Sequence, residues 1–441
     1  MIELFEVIAA AARSRGVADV EVSIHTSEDA LTRFANNTIH QNVAERQFVV
    51  SVRPVIGQRT ARATTNRTDR AGLDAVVEEA VALTSASEPD PDLLPLYSDS
   101  VNCDSARMSA AAVSCAPADR AREVREAIRM IESEGQTAAG IYSTGRESHA
   151  LFNSRGLARQ YSETSTVFSV TAMASDSSGW AKLSSTVHED VRPSELARRA
   201  AMKARLSANP RELPPGEYTV VLEPAAVLDL VGQIFPDFSA TSLHDQRSFL
   251  NERIGTKLFG DNIGIFDDVD HPQQNGPRFD GEGVPRRRLT LVEDGVVRDI
   301  PFSRVSAARE GREPTGHGFA LPNETGEMPV NIVIAGGDAT LDDLIAATER
   351  GILVSRLWYI REVEPYEKVM TGMTRDGTFL IEDGRLAAGL RNFRFNQSVV
   401  EMLQNVERLS TSVRASGEES FDMVVPAMRI RGFRFTEVTR F

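Results

Sequence analysis

The sequence contains few cysteines and few histidines. Its two cysteines, Cys103 and Cys115, lie in a segment rich in Ser and Ala that matches neither a disulfide framework nor a zinc-ligand pattern. The seven histidines are scattered, and no two are three or four residues apart, the spacing that would place them on one face of a helix. We therefore expect no metal site and no cofactor in this chain.

Long apolar runs and an excess of basic charge are also absent. The formal net charge is −14 and the pI is near 5.2, which argues against nucleic acid or an anionic membrane as a partner. No uncharged apolar run reaches the roughly 18 residues that span a bilayer. The first predicted helix, residues 2–14, carries Glu3 and Glu6 and has no basic start, so it is not a secretory signal. These features predict a cytoplasmic protein.

A chain of 441 residues is predicted to form two or three domains. The first 88 residues predict an α+β unit, because a helix at residues 2–15 is followed by strands and then by another helix. The predicted strands are 20–26, 47–55 and 58–65, and the second helix begins at Asp69 and runs to about Thr84.

The middle of the chain is predicted to repeat this mixture. Residues 85–117 resemble an irregular connector, and residues 209–215 give the strongest boundary signal. Between them we predict helices at 118–134 and 193–208, strands at 140–144, 149–152 and 157–174, and turns at residues 153–156 and at Gly179-Trp180. We place the division between residues 212 and 213, with the N-terminal region forming either one domain or two subdomains, 1–88 and 116–212.

Residues 213–441 predict a β-rich domain rather than a doubly wound sheet. Its strands are separated by Asp-Gly and Gly-Gly pairs, such as Asp294-Gly295 and Asp383-Gly384, which favour hairpin turns because these need positive φ. We also predict helices at 341–350 and 398–409. The fold class that follows for the whole chain is α+β.

The stretch 214–238 predicts a short buried strand followed by a helix with Pro224 as its first residue. Residues 225–235 are apolar on nearly all sides, yet they include Asp229 and Gln233 one turn apart. Two interpretations remain open. Either these side chains hydrogen-bond neighbouring backbone, or they line a cavity that holds a peptide.

A second candidate is the loop Thr315, Gly316, His317 and Gly318. Its glycines permit unusual backbone dihedrals beside a histidine and a hydroxyl group. Such a loop is either a tight turn or part of a peptide-binding site.

Several tracts together resemble the TldD/PmbA family of bacterial proteins over nearly the whole chain. They are GQRTARATTNRTDRAGLDAVVEEAVAL at 57–83, FDGEGVPRRRLTLVEDGVV at 279–297, PTGHG at 314–318, GDATLDDLIAATERGILV at 337–354 and TGMTRDGTFLIEDGRL at 371–386. Each tract is loose by itself, but their order and spacing are specific.

The resemblance implies a two-subunit protease in which one subunit type carries H-E-x-x-x-H on the helix that follows the predicted strand of the stretch 214–238. Its histidines hold a metal and its glutamate acts as general base. The other type, PmbA or TldE, lacks the motif. In this chain Leu228, Asp229 and Gln233 occupy the degenerate motif positions. The resemblance therefore predicts zinc only in the partner subunit and no catalytic residue here.

Three functions remain open from the sequence. The leading hypothesis is a non-catalytic subunit that completes the peptide-processing complex of an H-E-x-x-x-H-bearing partner. The second is a homodimeric peptide-binding protein that acts without a protease partner. The third is a metal-free hydrolase that uses Asp229 or His317.

Overall fold

The computed structural model of the protein describes residues 1–439, and the N-terminal part forms one eight-stranded sheet. The strand order is β3-β2-β1-β6-β7-β5, with β4 paired to β2 and β8 paired to β7. The strands are β1 (Asp19–Ala35), β2 (Thr38–Ile56), β3 (Arg59–Thr60), β4 (Ala63–Thr65), β5 (Ser105–Arg107), β6 (Thr137–Asn153), β7 (Ala158–Met173) and β8 (Ser178–Ser185).

The central strands are much longer than the sequence predicts. β1 and β2 form one hairpin, which turns at Asn36 and Asn37 with φ of 49° and 58°. The prediction that the first strand ends near residue 26 was wrong, because polar residues beyond it pair along the same ladder. The predicted turn at Gly179-Trp180 was also wrong, since both residues lie inside β8.

Five helices accompany this sheet. They are α1 (Ile2–Ser14), α2 (Arg70–Ala86), α3 (Ala110–Ser114), α4 (Pro117–Ser133) and α5 (Pro193–Leu206). Asp69 caps α2 by accepting a hydrogen bond from the Gly72 N–H, as a helix-starting aspartate does. One hydrophobic cluster joins α1 and α2 to the sheet, and another joins α4 and α5 to it. The predicted connector 85–117 contains the short elements β5 and α3.

The C-terminal part contains a ring of five strands. β9 (Gly216–Leu222) pairs with β14 (Arg350–Glu364) and with β21 (Met428–Val438), and the ring closes through β17 (Phe393–Ser398) and β15 (Val369–Glu382), because β15 also pairs with β14. Two further strands pair with members of the ring: β16 (Arg385–Gly389) with β15, and β18 (Val406–Leu409) with β21.

A second, six-stranded sheet faces the ring across a shared core. Its strand order is β12-β11-β10-β13-β20-β19. The strands are β10 (Ile265–Asp267), β11 (Leu289–Glu293), β12 (Val296–Val297), β13 (Ile332–Ile334), β19 (Val413–Ala415) and β20 (Met423–Val425). One large hydrophobic cluster joins both layers. Helix α6 (Pro224–Val231) lies within that cluster.

The remaining helices of the C-terminal part are short. They are α7 (Ala240–His244), α8 (Arg304–Glu310), α9 (Leu341–Ala346) and α10 (Val399–Gln404). The helix predicted at 398–409 was wrong beyond Gln404, because the chain turns there and pairs as β18 with β21. The helix predicted at 341–350 likewise ends at Ala346, and β14 begins at Arg350.

The hairpin signals in the sequence are confirmed at two positions. Asp294-Gly295 joins β11 to β12 with φ of 49° and 75°, and Asp383-Gly384 joins β15 to β16 with φ of 50° and 72°. Mixed helices and sheets confirm the α+β class. The division between residues 212 and 213 stays a prediction. Across residues 1–439, no helix has the length and apolarity needed to cross a membrane.

A buried ion pair and an aromatic stack join the two parts of the chain. Lys203 Nζ on α5 donates to Glu223 Oε2 at 2.8 Å, and Ser355 Oγ donates to Glu223 Oε1 at 2.8 Å. The imidazole of His149 on β6 stacks on Phe279 with the ring centroids 5.7 Å apart. Since Glu223 directly precedes α6, α5 helps to fix where that helix begins.

Candidate functional site

Helix α6 follows β9 directly and begins as the sequence predicts. Pro224 is its first residue, and Glu223 precedes it in an extended conformation. The α-helix ends at Val231, and the chain continues as a 3-10 helix over Gly232–Asp237. The prediction of one helix through residue 235 was therefore wrong. Gly232 lowers helix propensity and Pro236 cannot donate an intrahelical hydrogen bond, which accounts for the change.

Leu228, at the first degenerate motif position, belongs to the hydrophobic core. Its side chain is fully buried among the apolar residues of the cluster that joins the ring to the six-stranded sheet. A leucine has no atom that can bind a metal, so this position contributes packing only.

Asp229 is also fully buried, and its two carboxyl oxygens differ. Oδ1 accepts hydrogen bonds from the backbone N–H of Glu418 at 3.0 Å and of Glu419 at 2.9 Å. Oδ2 has no hydrogen-bond partner within the described chain. Burial raises the pKa of Asp229 to about 7, although the two N–H donors and the charge of Arg356 lower it. The side chain therefore exchanges a proton near neutral pH.

Gln233, at the last motif position, binds the same segment. Its Nε2 donates to the carbonyl oxygens of Asp229 at 3.0 Å and Glu419 at 3.2 Å. Together the two polar residues of α6 and its extension hold residues 417–419 against the helix. A Cβ on Gly417 would lie 2.1 Å from Asp229 Oδ1, so glycine permits this close approach. The backbone-bonding interpretation describes these contacts, and a peptide-lining role stays a prediction.

The held segment, residues 417–419, connects in turn to the ring and to the N-terminal sheet. The Glu419 carboxylate accepts from the N–H of Tyr359 at 2.8 Å and of Ile360 at 3.3 Å. Lys182 Nζ on β8 donates to the Gly417 carbonyl at 2.6 Å. Sequence reasoning missed this segment because almost 190 residues separate it from Asp229, and no local pattern marks it.

The residues at the motif positions do not fit a zinc ion. Zinc in proteins takes cysteine sulfur, histidine nitrogen or carboxylate oxygen as ligands. Leu228 supplies no donor, and the Gln233 amide nitrogen is directed at two carbonyl groups. Only Asp229 Oδ2 remains, and one buried oxygen cannot form a tetrahedral site. In residues 1–439 no group of three or more His, Cys, Asp or Glu side chains is placed to hold a metal ion.

The loop at 315–318 is buried within the C-terminal part. Thr315 Oγ1 donates to the Phe302 carbonyl at 3.1 Å and lies 2.9 Å from His317 Nδ1. His317 Nε2 lies 3.1 Å from Asp267 Oδ1. Burial raises the pKa of Asp267, but the neighbouring His317 imidazole and Arg286 guanidinium outweigh it and hold that pKa below its usual value.

One of the two glycines of this loop permits close backbone contact. Gly316 has φ of 77°, and a Cβ there would lie 2.2 Å from the Pro285 carbonyl oxygen. The Gly318 N–H donates to Asp280 Oδ2 at 2.8 Å. The structure thus brings the loop next to residues 280–286. Both segments are far in the sequence from Asp229 and Gln233. That the loop binds peptide stays a prediction.

Three family models together match most of the chain. The PmbA/TldA metallopeptidase C-terminal domain matches residues 215–437, domain 1 matches residues 20–84, and the central domain matches residues 107–208. The first of these by itself covers about half of the sequence.

Individual proteins agree with this match. A metalloprotease of Methanothermobacter thermautotrophicus is 26% identical over 322 residues, which are 68% of each chain. The metalloprotease PmbA of Escherichia coli O157:H7 is 22% identical over 236 residues, 52% of this chain and 48% of that protein. The crystal structure of TldE from Thermococcus kodakarensis has the same fold, with a TM-score of 0.87 at 20% identity over 98% of this chain and 99% of the other. The chain belongs to the PmbA/TldD family.

Proposed function

We propose that this chain is the motif-less subunit of a TldD/PmbA-type complex that processes peptides or unfolded polypeptides. By itself it is non-catalytic. Its partner is a subunit of the same family that carries H-E-x-x-x-H and holds the zinc, and the complex acts in the cytoplasm. Family membership supports a peptidase-related role, and the relatives that are named metalloproteases agree with it.

The proposal rests on what the side chains at the three motif positions contact. Leu228 packs in the core, while Asp229 and Gln233 hold residues 417–419 through main-chain hydrogen bonds. A general base without a metal-bound water has no activated nucleophile to deprotonate. Asp229 therefore serves to position the held segment. Gly417 and Glu419 of that segment also contact Lys182 on the N-terminal sheet and the Tyr359 N–H on the ring.

The test is a reconstitution with metal analysis. The purified chain is expected to hold no stoichiometric zinc and to leave an unfolded peptide intact. A mixture with an H-E-x-x-x-H-bearing family member is expected to cleave that peptide. The matched control is the same mixture in which the partner's motif glutamate is replaced by glutamine, which should be inactive because the general base is lost.

Two results would overturn this assignment. One is tight zinc in the isolated chain that disappears when its histidines are replaced. The other is cleavage by the isolated chain that Asp229→Asn or His317→Gln abolishes, which would instead establish the metal-free hydrolase.

A homodimeric peptide-binding protein is the second candidate, and the long strand β2 favours it. Residues 40–47 of β2 are exposed, and residues 41–47 pair with β1 and with no other strand of the described residues 1–439, so their outer edge offers main-chain groups for strand addition. A pull-down from cell lysate discriminates the two functions. Recovery of an H-E-x-x-x-H-bearing subunit supports the complex, and recovery of no second protein favours the homodimer.

A further inference from the structure

A cavity of about 270 Å³ lies where the connector at residues 85–117 meets the C-terminal part. Residues within 90–92, 241–245, 303–309 and 319–326 line it, together with Glu282. Pockets that enclose drug-sized ligands measure roughly 300–1,000 Å³, so a cavity just below that range fits one side chain or one small cation. We call it the acidic cavity.

Negative charge dominates the lining of the acidic cavity. Its acidic residues are Asp90, Asp92, Asp245, Glu282 and Glu324, and its one basic residue is Arg309. Asp92 pairs with Arg309, and Asp245 pairs at 2.6 Å with Arg247, which is not a lining residue. Among residues 1–439, neither Asp90 nor Glu324 pairs with a basic side chain. The lining therefore carries more negative charge than its own cation balances.

Glu282 forms the inner end of the acidic cavity, because it is 2% exposed whereas the other four acidic residues are exposed. Its Oε2 accepts a hydrogen bond from Arg304 Nη1 at 3.1 Å, and Oε1 accepts none within the described chain. Since Arg304 is not a lining residue, Oε2 is directed away from the cavity and Oε1 remains for a ligand. A buried carboxylate oxygen without a donor costs free energy that a bound cation would recover.

The arginine of the lining shows which kind of cation these carboxylates accept. The pKa of the Arg309 guanidinium is raised by its hydrogen bond to Asp92 and by the charges of Asp92, Asp90 and Asp245. Carboxylates from the connector and from the end of α7 therefore act together on one guanidinium. Asp90, Glu324 and Glu282 Oε1 are left for a second cation.

A compact metal ion suits the acidic cavity less well than an extended cation. Calcium and magnesium bind several oxygen atoms at about 2.0–2.6 Å, which requires the ligands to converge on one point. Within the described chain no three His, Cys, Asp or Glu side chains converge in this way. A guanidinium is planar, carries five N–H donors and ends a long stem, so it reaches carboxylates that are further apart.

We propose that the acidic cavity is a binding site for a guanidinium group, with Glu282 Oε1 as its innermost acceptor and Asp90 and Glu324 at its mouth. Apolar lining residues, Val305, Phe319 and Leu321, would contact the aliphatic stem of an arginine. The half-buried ring of Phe319 also offers a face on which a guanidinium can stack. The site lies within this chain alone, so the inference does not depend on the proposed function.

The experiment measures binding of a fluorescein-labelled Gly/Ser peptide with one central arginine to the isolated full-length chain by fluorescence polarisation at constant salt. The matched ligand carries citrulline at that position, which keeps the shape of arginine and removes its charge. The citrulline peptide is expected to bind about tenfold more weakly or worse, because the carboxylates then lose their cation.

Competition with free L-arginine identifies where the guanidinium comes from. Displacement at the concentration that unlabelled arginine peptide requires assigns the site to the free amino acid. A requirement for much more L-arginine assigns it to an arginine within a polypeptide, because the main chain then contributes to binding. Displacement by stoichiometric Ca²⁺ or Mg²⁺ would overturn the proposal in favour of a metal site.

Three variants locate the binding within the chain. Glu282→Gln keeps the shape of the side chain and should weaken binding of the arginine peptide by about tenfold. Glu324→Gln changes an exposed residue whose charge folding does not need, and it should weaken binding about twofold to fivefold. The matched control is Glu313→Gln, the same change at an exposed residue outside the lining, which should bind as the wild type does.

Three results would contradict the guanidinium site. The first is equal affinity for the arginine and citrulline peptides. The second is wild-type affinity in both Glu282→Gln and Glu324→Gln. The third is the absence of saturable binding by the wild type at millimolar concentrations of both the arginine peptide and L-arginine.

Discussion

Replacing Asp229 by asparagine should change how the stability of the protein depends on pH. The pKa of Asp229 is raised from 3.8 to about 7, chiefly because the carboxyl is buried. The folded chain therefore binds a proton on Asp229 more tightly than the unfolded chain. This contribution to stability is complete below pH 4 and is lost as the pH rises towards 7. At about 1.4 kcal/mol for each pH unit, the total is about 4 kcal/mol at most.

Asparagine removes this titration and keeps an oxygen for the Glu418 and Glu419 N–H groups. We expect the free energy of unfolding of Asp229→Asn, relative to the wild type, to increase by roughly 2–3 kcal/mol between pH 5 and pH 8. Denaturant unfolding can be followed by tryptophan fluorescence. Both tryptophans, Trp180 and Trp358, lie over the Arg356 guanidinium, 4.8 Å and 5.4 Å from its carbon atom.

The control is Asp342→Asn, the same change at an exposed aspartate on α9, which should behave like the wild type at each pH. A difference between Asp229→Asn and the wild type that is constant from pH 5 to pH 8 would refute the reasoning. So would a difference that decreases as the pH rises, because that would mean the folded state prefers the charged carboxylate.

Two further predictions concern the contacts between the N-terminal and C-terminal parts. Lys203→Met should lower the free energy of unfolding by about 3–5 kcal/mol, because it leaves the buried carboxylate of Glu223 without its cation. The double variant Lys203→Met with Glu223→Gln should recover part of this loss, as measured by denaturant unfolding. Burial lowers the pKa of His149 to about 4, so the free energy of unfolding of the wild type should fall by up to about 3 kcal/mol as the pH falls from 6.5 to 4. His149→Phe should lose less stability over the same range in thermal unfolding followed by circular dichroism. Equal losses in the two proteins would contradict the assignment.

Local patterns in the sequence located many elements of the fold correctly. Three of these patterns act through their own backbone geometry, so they give the same structure in most contexts. They are Asp69 before an apolar stripe, Pro224 after an apolar strand, and the Asp-Gly pairs between strands. The extents of β1 and β2 were missed, because their outer halves are polar and become strands only by pairing with each other. The prediction of a helix over all of residues 398–409 was wrong for a related reason. Residues 406–409 become a strand only by pairing with β21.

For the site, the sequence by itself determined the side-chain chemistry at positions 228, 229 and 233, whereas the tertiary structure decided what those side chains contact. Leu228 and Gln233, which the resemblance places at the motif positions, lack the sulfur, imidazole and carboxylate groups that zinc takes as ligands. The partners of Asp229 and Gln233 lie in residues 417–419, and no local pattern links positions so distant in the sequence. The raised pKa of Asp229 is likewise a property of the folded core, because it depends on burial among residues that come together only when the ring and the six-stranded sheet pack around α6.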